Sequence, residues 1–189
     1  MRFHRTSSGF TLIELLVVIA IIGILATIAL AALGQSRVQA QIVRTQSELR
    51  QIKTSIVRLE LDTQKSAGGC PVGVYAGSGN EFSLSSLRAG LWTAPTNFSV
   101  YGVCQWTAAD AANWKGPYMN TPTDPWGNEY YYDSDYYPYQ DNGGACTNPY
   151  PPGVAFSVVV SGGPNGVNGG ASAGGPYDCD DIFLILDGS

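Results

Sequence analysis

A chain of 189 residues has room for one globular domain beside an N-terminal helix, and its net charge of −5 is unevenly spread. From Gly68 onward only Arg88 and Lys115 stand against eleven acids, which excludes nucleic-acid binding by this part, because phosphate contacts need clustered Lys and Arg. The single histidine is His4; the rest of the chain therefore builds no Ser-His-Asp or Cys-His nucleophile and no histidine-ligated metal site, and no enzyme is expected.

Residues 1–9 form a short basic leader with Arg2 and Arg5 that ends in Ser8-Gly9. Phe10-Thr11-Leu12-Ile13-Glu14 follows, and the apolar run continues to Leu33. The run is long enough to span a bilayer, with the two arginines holding the leader in the cytoplasm. A secretory signal peptide would place its small-residue cleavage site after the apolar core, whereas Gly9 lies before it. A plain anchor leaves Glu14 unexplained, since a carboxylate near the membrane midplane is costly unless a partner neutralises it. Were the chain cut after Gly9, Glu14 would become its fifth residue. The natural partner is then the new α-amino group of Phe10 on a neighbouring copy. The cut also removes His4 and takes the side-chain charge from −5 to −7.

The Gly-Phe-Thr-Leu-Ile-Glu string and its apolar continuation resemble, over residues 1–33, the class III signal of type IV pilins and of the pseudopilins of type II secretion systems. The resemblance implies a membrane-embedded prepilin peptidase that cuts after Gly9 and methylates Phe10. It also assigns Glu14 to subunit registration during assembly. The implied partners are that peptidase, an inner-membrane assembly platform, minor pseudopilins or pilins, and further copies of the chain in a helical filament. The implied location is the inner membrane, crossed once, with the head on the periplasmic or extracellular side, and then the filament.

Residues 34–65 contain no proline and only Gly34, and apolar residues recur at Val38, Ile42, Leu49, Ile52, Ile56 and Leu59. Steps of three, four and seven mark one helical face. The reading is one long helix from Phe10 to about Lys65, a transmembrane and filament-core half over 10–33 and an amphipathic half over 34–66. Ala31 stands where many type IV pilins carry a proline, so this helix keeps its backbone hydrogen bond there. Arg37, Arg44, Arg50, Lys53 and Arg58 crowd the second half. They form either a solvated face or a basic stem that meets the acidic head of another subunit.

From Ala67 the composition turns to Gly, Ser, Pro and aromatics, so residues 67–189 read as a head of strands and loops. Glu81 to Leu91 is expected to add a short helix. Gly116-Pro117-Tyr118-Met119 leads to Asp124-Pro125-Trp126-Gly127-Asn128-Glu129-Tyr130-Tyr131-Tyr132, turn dipeptides followed by an aromatic strand. The aromatic stretch from Tyr130 to Tyr139 is read as core packing and subunit contact. Strand-like Val154 to Val160 precedes Ser161-Gly162-Gly163-Pro164-Asn165-Gly166, then Gly169-Gly170 and Asp180-Asp181-Ile182.

These strings resemble the head of the major pseudopilin of type II secretion, whose C-terminal loop holds calcium. The resemblance implies a calcium site in which Asp181 matches the family's aspartate before isoleucine and Asn165 stands in place of its loop aspartate; Asp178 and Asp180 are the further carboxylates at hand. Calcium takes six to eight oxygen ligands, and glycine lets a chain curl around it. The competing reading is a flexible Gly-rich loop followed by an acidic turn, lengthened here by Ala171 to Tyr177.

Cys70, Cys104, Cys146 and Cys179 all fall in the head. In an oxidising compartment an even count favours two disulfides, of three possible connectivities, and the pairing taken is Cys70 with Cys104 and Cys146 with Cys179. The expected fold is α+β and pilin-like: a long N-terminal helix packed on a small antiparallel sheet with a C-terminal loop. The expected function is structural, as a secretion pseudopilus subunit. The alternatives are a type IV pilus subunit and a membrane-anchored calcium-binding domain that never polymerises.

Overall fold

The computed structural model describes residues 9–74, 81–96, 99–101, 103–120, 123–138, 150–151, 153–167 and 179–187, with 29–32, 99–101 and 187 described by backbone alone. Helix α1 spans Leu12–Thr63, 52 residues, two residues shorter at each end than the periodicity predicts. It runs unbroken through Ala31, as a stretch without proline should. It stops where Gln64 turns left-handed at φ 58°.

The chain divides into two compact units, Met1–Ala40 and Gln41–Ser189. In the first, every described large apolar side chain from Phe10 to Leu33 is exposed. A helix apolar on all sides belongs in lipid or in a protein core rather than in water. This is the one helix among the described residues long and apolar enough to cross a membrane.

In the second unit the remaining turns of α1 pack on an antiparallel sheet. Strand β1 is Phe82–Ser83, β2 Ser99–Tyr101 and β3 Cys104–Gln105; helix α2 is Ala108–Asn113; β4 is Tyr131–Tyr136, β5 Phe156–Ser161 and β6 Ile182–Asp187. The four-stranded sheet has the order β1-β4-β5-β6, and β2 and β3 form a separate pair. Leu49, Ile52, Ile56 and Leu59 on α1 share one buried cluster with Phe82, Leu84, Leu91, Trp106, Tyr130, Tyr132 and Val159. Each such side chain removed from water contributes about 1.5–3 kcal/mol. Successive strand residues point to opposite faces, so Val158 and Val160 lie beneath a second cluster with Tyr136, backed by Tyr131, Tyr137, Phe156, Phe183 and Ile185. The Val-Val-Val run of β5 is thus buried on both faces, as a central strand requires.

Two expectations about elements change. Glu81 to Leu91 is not a helix: Phe82 and Ser83 pair with Tyr132 and Tyr131, and turns closed by Ser86 N–H to Ser83 and Ala89 N–H to Ser86 follow. Sheet pairing, together with serine hydroxyls that compete for the backbone, outweighs the local helical pattern. An α-helix forms later in the head: α2 begins with a capping box in which Thr107 and Asp110 exchange hydrogen bonds.

A disulfide joins Cys70 to Cys104 across 34 positions, tying the segment that leaves α1 to β3. Cys179 is also disulfide-bonded; Cys146 lies outside the described residues.

Candidate processing and assembly site

Gly9 and Phe10 precede the helix, and Phe10 is 90% exposed. Glu14 sits in the first turn of α1 and turns back on the chain. Thr11 donates its hydroxyl, Oγ1, and its backbone N–H to Glu14 Oε2, both at 2.8 Å. Glu14 N–H in turn donates to Thr11 Oγ1 at 3.3 Å. This is a Thr-x-x-Glu capping box, which satisfies helix-terminal N–H groups through side chains. The signal is present in the sequence and sits inside the same string that predicts processing.

The Gly116-Pro117-Tyr118 segment docks on α1. Ser55 Oγ donates to Tyr118 O at 2.7 Å, and Tyr118 OH donates to Asp62 Oδ2 at 2.8 Å. Lys115 Nζ reaches Asp62 Oδ1 at 2.9 Å. The hydrogen bonds from Lys115 and Tyr118 hold the Asp62 carboxyl below the usual carboxylate range. Trp114 covers Gly116 so closely that a Cβ there would lie 2.4 Å from the indole.

Asp124 is the hub of the next motif. It is buried, and its Oδ1 accepts the N–H groups of Trp126 at 3.0 Å and Asn128 at 2.8 Å. Its Oδ2 accepts Ser161 Oγ at 2.6 Å. Asn128 Nδ2 continues to Gly163 O at 3.2 Å, so the Asp-Pro-Trp-Gly turn grips the end of β5 and the loop after it. On α1, Tyr130 OH donates to Glu48, whose other oxygen pairs with Arg44. Burial first, then Glu48, raises the Tyr130 phenol.

The residues expected to hold calcium are only partly together. Asn165 and Asp180 are in direct contact, donor to acceptor at 2.7 and 3.0 Å. Asp181 is buried and accepts Tyr136 OH at 3.0 Å. Asp178 lies outside the described residues. A different set of acids converges on the sheet: Glu81, Asp133 and Asp135 bring ligand atoms within 4.8 Å of one another, an arrangement able in principle to hold a metal ion. The β1–β4 register, with Phe82 opposite Tyr132, places Glu81 beside Asp133. Burial and the neighbouring Glu81 push the Asp135 carboxyl up.

The basic residues of α1 are used in more than one way. Arg44 pairs with Glu48, whereas Lys53 Nζ donates to the carbonyls of Ile185 at 3.1 Å and Leu186 at 3.0 Å. Lys53 therefore holds the β6 edge of the sheet to the helix, a role its place in a basic run does not announce.

With this geometry in view, comparisons with known proteins become specific. Residues 4–30 match the prokaryotic N-terminal methylation motif, and residues 95–142 match the model of protein G of the type II secretion system. The type IV major fimbrial protein FimA of Dichelobacter nodosus is 48% identical over 88 residues, covering 47% of this chain and 51% of the relative. The type IV major alpha-pilin of Moraxella bovis is 40% identical over 93 residues, covering 49% and 52%. The fimbrial protein EcpB of Eikenella corrodens is 56% identical over 48 residues, covering 25% and 30%. No solved structure matches. The chain thus spans about half the length, or less, of these curated relatives.

A prepilin methylation signal, a long apolar N-terminal helix and a helix-on-sheet head define a type-IV-pilin-like protein. Its N-terminal segment is similar to that of the fimbrial and pilin relatives, and its head segment to protein G of the type II secretion system.

Proposed function

We propose that the chain is a filament subunit, cut after Gly9 by a prepilin peptidase, methylated at Phe10, and held in the inner membrane by residues 10–33 until assembly. The amphipathic half, 34–66, and the head, 67–189, then lie on the periplasmic or extracellular side. The observation that carries this reading is the Gly9-to-Glu14 string at the start of a helix whose apolar side chains are exposed. Bundling such helices in a filament core reburies that surface at roughly 25 cal/mol per Å². Glu14 pairs there with the Phe10 α-amine of a neighbour, a head-to-tail contact that generates an open helix. An inner-membrane assembly platform and minor pseudopilins or pilins complete the machinery.

The filament is a type II secretion pseudopilus, which drives protein export. The match of residues 95–142 to protein G of that system supports this role. The second reading, a surface type IV pilus, draws support from the fimbrial and pilin relatives. Electron microscopy with mass spectrometry on material sheared from cells producing the chain at native level separates the two. A processed chain starting at methylated Phe10 but confined to the envelope supports the pseudopilus. Long surface fibres containing that chain would make it a pilus subunit, and an uncut Met1 start would overturn both.

A further inference from the structure

The family resemblance implies calcium in the loop after β5, and the described residues of that loop do not fit a cation. Asn165 is turned the wrong way. Its backbone N–H donates to Asp180 Oδ2 at 3.0 Å and its side-chain Nδ2 donates to Asp180 Oδ1 at 2.7 Å. Its Oδ1 accepts the N–H of Val167 at 2.6 Å. A backbone N–H can only face an oxygen, so this last bond fixes which end of the amide is which. The atom presented to Asp180 is therefore an N–H, which has no lone pair for a cation. The backbone is equally close: Gly163, at φ +58°, lies so near the Asp180 peptide that a Cβ on it would fall 2.0 Å from the Asp180 carbonyl oxygen. Asp181 Oδ2 accepts the hydroxyl of Tyr136 at 3.0 Å.

We infer that the Asn165–Asp180 pair replaces the calcium ion in this chain, closing the C-terminal loop with two hydrogen bonds to one carboxylate and freeing its stability from calcium. The chemistry explains the residue type. An aspartate at 165 would set two negative groups against each other and require a cation between them. Asparagine supplies donors in the same volume, and hydrogen bonds to an ionised carboxylate are the strong ones. The clasp spans 15 positions, so it does for the loop what a bridging ion would: it holds both ends and lowers the entropy cost of keeping them together.

The test is thermal unfolding of the full processed chain in detergent, in excess EDTA and in millimolar calcium, for the wild type and for N165D, D180N and D135N. The wild-type Tm is expected to be the same in both buffers. An ion filling a native site at a hundred times its Kd would instead raise it by about 10 °C. N165D should melt below the wild type in EDTA and recover in calcium. A calcium-dependent rise in the wild type that D180N abolishes and D135N preserves would overturn the inference. A rise that D135N abolishes and D180N preserves would place the ion at Glu81, Asp133 and Asp135 and leave the clasp standing. An N165D chain as stable as the wild type in EDTA would also overturn it.

Discussion

Thr11 and Glu14 exchange three hydrogen bonds at the N-terminus of α1, two of them at 2.8 Å onto a single carboxylate oxygen. The residue proposed to register one subunit on the next thus has a partner within its own chain. Both roles are compatible, because a carboxylate offers two oxygens and about four lone-pair sites. In the membrane, before assembly, the Thr11 donors compensate part of the cost of placing a carboxylate in lipid. Glu14→Ala removes both roles and should reduce incorporation into sheared filaments to background, with cleavage after Gly9 retained. Thr11→Ala removes only the internal partner and should lower incorporation several-fold without abolishing it. Quantitative immunoblotting of filament and membrane fractions measures both. Wild-type incorporation of Glu14→Ala would end the registration mechanism.

Asp124 binds three donors from its own turn and from the end of β5, Trp126 N–H, Asn128 N–H and Ser161 Oγ, all within 3.0 Å. It is buried, so Asp124→Ala leaves those donors without an acceptor and opens a gap between the motif and β5. Hydrogen bonds to a charged group contribute about 1.5–3 kcal/mol net, and stranded buried donors cost more. A loss on the order of 3 kcal/mol, or about 10 °C in Tm, is expected. Circular dichroism melts of the detergent-solubilised chain decide it. A shift below a few degrees would mean that the motif is held by packing alone.

Asp135 gives a pH dependence with an unusual sign. Burial and the nearby Glu81 raise its carboxyl above the reference value of 3.8. A raised folded-state value means the folded chain holds the proton more tightly than the unfolded one. The stability this contributes is fully present below 3.8 and is lost as pH rises through the folded value. At neutral pH the ionised group therefore costs stability. Asp135→Asn should raise Tm by a few degrees at neutral pH and leave it nearly unchanged in acid. Melts from acid to neutral pH test this, and a uniform gain at every pH would point to packing rather than charge.

What the sequence disclosed follows from the range of the forces involved. The buried face of α1 was legible at Leu49, Ile52, Ile56 and Leu59 because helical period is local. Val38, on the same stripe, is 40% exposed: periodicity marks a face without saying which of its residues are covered. The apolar run expected from Val154 appears as β5, shifted to Phe156–Ser161.

Long-range pairings were not legible. Lys53 reads as one charge in a basic run, yet its partners are 132 and 133 positions away. The Glu81, Asp133 and Asp135 cluster exists only through strand register. The calcium resemblance rested on residue order, whereas the fit depends on which end of the Asn165 amide faces Asp180. By contrast, the Thr-x-x-Glu and Thr-x-x-Asp boxes at Thr11 and Thr107 were readable locally.

The Cys70–Cys104 disulfide closes a loop whose ends are 34 positions apart, and that loop contains β1 and β2. Among the described residues, β2 and β3 form only a two-stranded pair, too small to persist alone. Cross-linking removes unfolded-state freedom worth about 4 kcal/mol for a loop of this size in the chain-entropy account. Cys104 is 1% exposed and Cys70 2%, so the bond is shielded from small thiols until the head opens. Replacing both cysteines by serine should lower Tm by about 10–15 °C, while core side chains such as Leu59 and Tyr130 keep their packing. Mild reductant should leave this bond intact in the native wild type, and the same reductant with denaturant should bring the chain to or below the stability of the double variant, because the Cys179 disulfide is reduced as well. Rapid reduction of the native chain would show that the loop opens locally, without unfolding of the sheet it is tied to.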